Sequence, residues 1–275
     1  MMVELFEQDI KTLDRQSSKG NQLKWNNNDI WYKADYVGYE GLVEYTISSL
    51  LELSNLNENE FVKYTPLSIK YKNNIYNGVS SKNFLKSGYQ LITLERLFKN
   101  YFNKSLHTSI WTIHDVKERI KFLVDEIERI TKLKGFGKYI NKVLTIDMFF
   151  LNEDRHTHNI AVLMNENGEF NYCPIFDNGA GLLSDTLIDH PMGCELYKSI
   201  ESVKSKTFSL NFEEQVNESE ILYGSNVIFK FTINDVERIL SLDGTSGPSE
   251  IYPIEIRKRV RDIIFEQMRK YKYLF

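Results

Sequence analysis

Asn152-Glu153-Asp154-Arg155-His156-Thr157-His158-Asn159, followed further along by Ile175-Phe176-Asp177-Asn178-Gly179, is the stretch on which the reading of this sequence turns. Four residues separate Asp154 from Asn159, and Asp177 has a glycine two places on. Between the two blocks lie strand-like runs, Ile160 to Met164 and Phe170 to Phe176, joined by the turn-forming Asn165-Glu166-Asn167-Gly168. A hairpin there folds the chain back and is expected to bring Asp177 beside Asn159. Taken singly, each part is unspecific. Asp-x-Gly is more often a turn, and a lone loop acid is more often a cap. Taken jointly they meet the needs of phosphoryl transfer. One carboxylate orients the attacking hydroxyl, while a second carboxylate and an amide oxygen hold a divalent metal. Asp154 fits the first role, and Asp177 and Asn159 fit the second.

The same chemistry requires a lysine on a strand to hold the phosphates, paired with a helix glutamate. Lys33 ends the strand-like Asp29-Ile30-Trp31-Tyr32-Lys33-Ala34. Glu44 lies in Gly41 to Leu53, whose Leu42, Tyr45, Ile47, Leu50, Leu51 and Leu53 form a broad apolar helix face. Glu40, just before that helix, competes for the lysine. Upstream, Gln16-Ser17-Ser18-Lys19-Gly20-Asn21 stands where a phosphate-covering loop belongs, with Gly20 its single glycine. The plain alternative for Lys33 is a surface lysine. His156 and His158, two apart and near acids, could be metal ligands; the reading preferred is that His156 braces its loop by hydrogen bonding.

Working outward, residues 60 to 95 read as short strands joined at Asn73-Asn74 and Asn77-Gly78. From about 115 the texture becomes helical. Asp115 or His114 opens a stretch with Val116, Ile120, Leu123, Val124, Ile127 and Ile130 at helical spacing, which Gly135 and Gly137 are expected to end. A second helix follows from Lys138 to Phe150, and the chain closes with another from Pro253 to Tyr271. The expectation is an α+β fold of two lobes, strand-rich over 1–100 and helical over 101–275.

Composition limits the alternatives. The 275 residues are 42% hydrophobic, 26% charged and 13% aromatic, the balance of an ordinary globular protein. A formal charge of −4 argues against a dedicated nucleic-acid binder. The strongly apolar run from Ile146 to Leu151 is interrupted by Asp147 and far too short to cross a bilayer. Acids near the N-terminus replace the bases of a secretory signal. Cys173 and Cys194 cannot form a zinc site alone and read as free thiols. The cytoplasm is the expected compartment, and export as an effector is compatible with the same sequence.

Asn152-x-Asp154-Arg155-His156-x-x-Asn159 and Phe176-Asp177-Asn178-Gly179 resemble the HipA-like serine/threonine kinases, distant relatives of phosphoinositide 3/4-kinases. Asp-Arg-His stands here where most protein kinases have the reverse order. The segment Trp31 to Glu44 looks like the compact bacterial members of that family, and Gly88 to Leu94 is similar to their hinge side. The resemblance covers most of residues 15 to 215. It implies a bilobal protein-kinase-like fold, ATP and Mg2+ as cofactors, and a protein substrate with a serine or threonine acceptor. By position it implies that Asp154 is the catalytic acid-base. The same resemblance implies that Lys33 would bind the ATP phosphates with Glu44 as partner, that Ser17, Ser18, Lys19 and Gly20 would form the phosphate loop, and that Asn159 and Asp177 would bind the metal. Some family members phosphorylate a serine of that loop and inactivate themselves, which makes Ser17 and Ser18 the matching candidates. Larger members carry a further N-terminal subdomain that is not seen ahead of the loop here, which weighs against an antitoxin partner. The rival expectations are a lipid or small-molecule kinase, which lacks the support of a basic amphipathic helix, and a nucleotide-binding pseudokinase, which the complete residue set opposes.

Overall fold

The computed structural model describes residues 1–11, 22–243 and 247–275. The chain divides into two compact units, each assembled from separated stretches: Met1–Asn83 with Asp177–Ser202 and Ile228–Phe275, and Phe84–Phe176 with Val203–Val227.

The first unit is built on one sheet of β1 (Met2–Leu5), β2 (Lys24–Asn27), β3 (Ile30–Ala34), β4 (Thr65–Tyr71) and β5 (Asn74–Lys82), in the order β1-β4-β5-β3-β2. The β1–β4 pair is parallel and the others are antiparallel. β2 and β3 meet through Asn28-Asp29, both at positive φ, the two-residue turn whose twist matches paired strands. Trp25, Leu67, Ile69, Tyr71, Leu5 and Ala34 pack into the apolar cluster of this sheet. Helix α1 (Glu40–Leu51) buries Leu42, Val43, Ile47, Leu50 and Leu51, a stripe too wide to face water.

Of the two expected turns, the one near Asn73-Asn74 forms one residue earlier, at Lys72-Asn73, and the other is absent because Asn77-Gly78 lies inside β5. Gly78 serves close approach: a Cβ there would lie 2.2 Å from the Lys33 carbonyl oxygen, so a side chain would push the strands apart. Helices α6 (Leu196–Ser202), α8 (Ile233–Ile239) and α9 (Ile254–Lys270) complete this unit.

The second unit is mostly helical. It holds α2 (Leu94–Phe102), α3 (Leu106–Trp111), α4 (Val116–Thr131), α5 (Phe136–Phe150) and α7 (Phe212–Tyr223). Its strands β6 (Tyr89–Thr93), β7 (Ala161–Asn165) and β8 (Phe170–Tyr172) form one antiparallel sheet in the order β6-β7-β8. The β7–β8 turn is the expected Asn165 to Gly168, with Gly168 at φ +79 and its N–H donating to the Asn165 carbonyl. β8 stops at Tyr172, earlier than the apolar run to Phe176 suggests.

Asp115 caps α4 by accepting from the Glu118 N–H at 2.9 Å. The glycines expected to end that helix have other places. Lys132 ends it in the left-handed region at φ 62, and Gly135, at φ +82, begins α5. Gly137 lies within α5, where a Cβ would sit 2.3 Å from the Tyr223 ring. α5 is buried along nearly its whole length, Asp147 included. Among the described residues no helix is long and apolar enough to cross a membrane.

Candidate active site

The sheet unit gathers Lys33, Glu44 and Asp177. β3 presents Lys33, whose Nζ donates to Glu44 Oε1 at 2.7 Å and to Asp177 Oδ1 at 2.8 Å. The lysine side chain is 14% exposed and that of Glu44 3%, so solvent screens this ion pair weakly. Glu44 Oε2 accepts the Asn178 N–H at 3.0 Å, fastening the segment after Asp177 to α1. The Tyr64 hydroxyl lies 3.4 Å from Nζ, and its ring centroid 5.2 Å away. Burial lowers the basicity of the Lys33 ammonium, but the Asp177 carboxylate and then Glu44 more than offset this, and its pKa ends well above the usual lysine range. The group is a fixed positive charge at neutral pH.

Asp177 sits at φ 60, a conformation few residues other than glycine, asparagine and aspartate adopt. Gly179 follows because the chain runs close to α1: a Cβ there would meet Glu40 Cβ at 3.3 Å and Glu44 Cγ at 3.4 Å. Glu40 is not the lysine's partner. Its carboxylate accepts the N–H groups of Tyr36, Val37 and Gly38, the last three before α1 but one, at 2.8 to 3.3 Å.

Behind this cluster, Asp35 Oδ1 accepts the Gly41 N–H at 2.6 Å, and its Oδ2 accepts the Tyr252 hydroxyl at 2.9 Å. Burial, reinforced by the nearby Glu40 charge, pushes the Asp35 carboxyl up to about 8. Nothing in the local sequence singled out Asp35, because its partner Tyr252 is remote in the chain.

The helical unit carries Asp154 and Asn159 on the loop after α5. That loop is wound on a buried ion pair. Arg155 Nε donates to Asp147 Oδ2 at 2.9 Å and Nη2 to Oδ1 at 3.0 Å, while Nη1 donates to the carbonyls of Asn159 and Phe176 at 3.1 and 2.7 Å. Asn152 Nδ2 adds a bond to Asp147 Oδ1 at 2.9 Å. Leu151, at φ 55, ends the helix and turns the chain into the loop. The Asp154 N–H donates to Asn152 Oδ1 at 3.3 Å. Asn159 Nδ2 donates to the Asp154 carbonyl at 3.1 Å, which turns the amide oxygen the other way.

His156 Nδ1 accepts the His158 N–H at 3.2 Å, the bracing expected of it. The two rings stand edge to face with centroids 5.5 Å apart. Thr157 Oγ1 donates to Glu95 Oε2 at 2.7 Å, and Glu95 in turn accepts the N–H groups of Leu106 and His107, tying the loop to α3. Among the described residues no three or more His, Cys, Asp or Glu side chains cluster as a metal site. Magnesium does not need one, since one or two carboxylates with substrate phosphates suffice. In the sheet unit, the Asp177 side chain is 26% exposed and its carboxylate is a hard oxygen donor.

Sequence reasoning missed Asp147, although a lone acid inside an apolar helix was a visible signal. It also missed Tyr64, Asp35, Glu95 and Lys206, whose Nζ lies 3.7 Å from Asp154 Oδ1. Ser17, Ser18, Lys19 and Gly20 lie outside the described residues.

No family model matches the sequence. No curated protein is similar to it at a significant level. Among solved structures, the chain is similar to the Helicobacter pylori proinflammatory kinase CtkA with a TM-score of 0.57 at 15% identity, over 98% of this chain and 95% of that one. An alignment that spans both chains at so low an identity reflects shared backbone architecture, and the chain has a kinase-like α+β fold.

Proposed function

We propose that this chain is an ATP- and magnesium-dependent serine/threonine protein kinase of the HipA-like kind. The observation that carries the reading is the Lys33 ammonium held between Glu44 and Asp177. In kinases a strand lysine paired with a helix glutamate holds the nucleotide phosphates, and a turn aspartate nearby holds the metal. Asp154, on a loop fixed by Asp147 and Arg155, orients the acceptor hydroxyl and takes its proton. Lys33 offsets phosphate charge. Asp177 and Asn159 are the proposed magnesium ligands, and the metal, when bound, neutralises charge on the transferring phosphates. Ser17 and Ser18 are the proposed sites of self-phosphorylation, and the acceptor elsewhere is a serine or threonine of a protein. Catalysis here is positioning and electrostatics, with little covalent help required of the protein.

Two variants test the reading together. Asp177→Ala should lose magnesium-dependent ATP binding in calorimetry while remaining folded. Asp154→Ala should keep that binding and lose transfer of labelled phosphate by about two to four orders of magnitude. Near wild-type transfer by Asp154→Ala, or unchanged magnesium–ATP affinity in Asp177→Ala, would remove these residues from their roles. A wild-type protein that labels lipid or metabolite pools but no protein, itself included, would make it a kinase of another class.

A further inference from the structure

We propose that Lys206 is a catalytic residue that contacts the transferring phosphoryl group beside Asp154, an inference that rests on the kinase reading above. Lys206 Nζ stands 3.7 Å from Asp154 Oδ1, with side chains 50% and 12% exposed. That separation is an ion pair and too long for a hydrogen bond. The ammonium therefore faces the carboxylate without being locked onto it through this contact.

The backbone that carries Lys206 is held on both sides. Thr207, buried, donates from Oγ1 to the Arg155 carbonyl at 2.9 Å, one residue from Asp154. The Phe208 N–H donates to the buried Gln215 Oε1 at 3.2 Å, and Arg119 Nη1 donates to the Phe208 carbonyl at 2.7 Å. Ser205 N–H closes the loop onto the Leu210 carbonyl at 3.2 Å. These bonds fix where the lysine starts and leave its head accessible.

A positive charge is needed at this place. In the transfer, the acceptor oxygen forms a bond to the γ-phosphorus as the bond from that phosphorus to the β–γ bridging oxygen breaks. The electron pair leaves with ADP, and the hydroxyl proton passes to Asp154. Negative charge on the γ-phosphoryl oxygens would then lie close to the Asp154 carboxylate and be repelled by it. Arg155, the cation adjacent in sequence, is committed to structure: it is buried and donates to Asp147 and to the Asn159 and Phe176 carbonyls. His156 accepts a backbone N–H through Nδ1. Lys206 brings the charge from a separate loop. As a surface ion pair alone it would contribute little to stability.

The experiment compares wild type, Lys206→Met, Lys206→Arg and Asp154→Asn. Transfer from labelled ATP is read as kcat and KM, and calorimetry reads affinity for magnesium–ADP with and without aluminium fluoride, a mimic of the transferring group. Lys206→Met should lose about 100- to 1,000-fold in kcat, the scale for removing one donor to developing charge. Its KM for ATP and its affinity for magnesium–ADP should stay as in wild type, and aluminium fluoride should no longer tighten ADP binding. Lys206→Arg should keep more of the rate than Lys206→Met. Wild-type kcat in Lys206→Met, with fluoride tightening intact, overturns the proposal and leaves the kinase reading standing if Asp154→Asn is still inactive. A wild-type protein that binds no nucleotide and transfers no phosphate overturns both.

Discussion

Asp147 and Arg155 together set the conformation of the loop that carries Asp154. Their side chains are 0% and 2% exposed, so neither charge is hydrated and each depends on its partner. The other arm of the guanidinium reaches two backbone carbonyls, which makes the pair a hub for the loop and for the segment ending at Phe176. Asp147→Asn keeps the shape but removes the carboxylate, and should cost about 3–5 kcal/mol, the scale for breaking a buried pair from one side. Urea unfolding measures it, and a loss confined to the surface-pair range would show that the arginine finds other compensation. Legibility at this scale was uneven. Asp154, Asn159 and Asp177 are candidates on their spacing, which is a property of the chain alone. Arg155 was seen as part of a motif, but its structural duty was not, since that duty depends on an acid on the preceding helix.

The joint between β3 and α1 is the element on which the lysine–glutamate pair depends. Lys33 ends the strand, Glu44 lies one turn into the helix, and Asp35 pins the helix start through the Gly41 N–H while receiving the Tyr252 hydroxyl. Gly41 permits this closeness: a Cβ there would meet the Tyr252 hydroxyl at 2.7 Å and Asp35 Oδ1 at 2.8 Å. The Asp35 carboxyl is raised to about 8 by burial first and by Glu40 second. An acid with a raised folded pKa binds its proton more tightly in the folded state. Its contribution is therefore fully present below the unfolded value of about 4 and is lost as pH climbs through the folded value. Asp35→Asn removes that dependence. The stability of the variant relative to wild type should rise from about pH 4 and level off above the folded pKa of about 8. Urea midpoints across that range check it, and a difference that does not change with pH would mean that Asp35 is ionised throughout. From sequence, the strand and helix were both legible within a few residues. Glu44 and Glu40 remained alternatives until the fold showed Glu40 capping the N–H groups that lead into the helix.

For the whole molecule, a ligand that binds only the folded chain adds stability by mass action, about 2.7 kcal/mol at one hundred times its Kd. Saturating magnesium–ATP should accordingly raise the thermal midpoint of the full chain, and excess chelator should cancel the rise. ATP that stabilises equally well with chelator present would contradict a metal-dependent site. What the sequence determined by itself was local. The amphipathic period of α4 with its Asp115 cap, the Asn165–Gly168 turn, the order of lysine strand and glutamate helix, and the spacing of the two acidic blocks all depend on neighbours within a turn or two. The tertiary structure decided the rest: the parallel β1–β4 pair, the placing of Gly78 within a strand, the burial of Asp147, the choice of Glu44, and the arrival of Lys206 beside Asp154. The strand pairing and the place of Gly78 depend on packing between strands, and the other three on which group comes to face a charge once the chain is folded. A local pattern holds no record of which distant group will supply the compensating charge or bond.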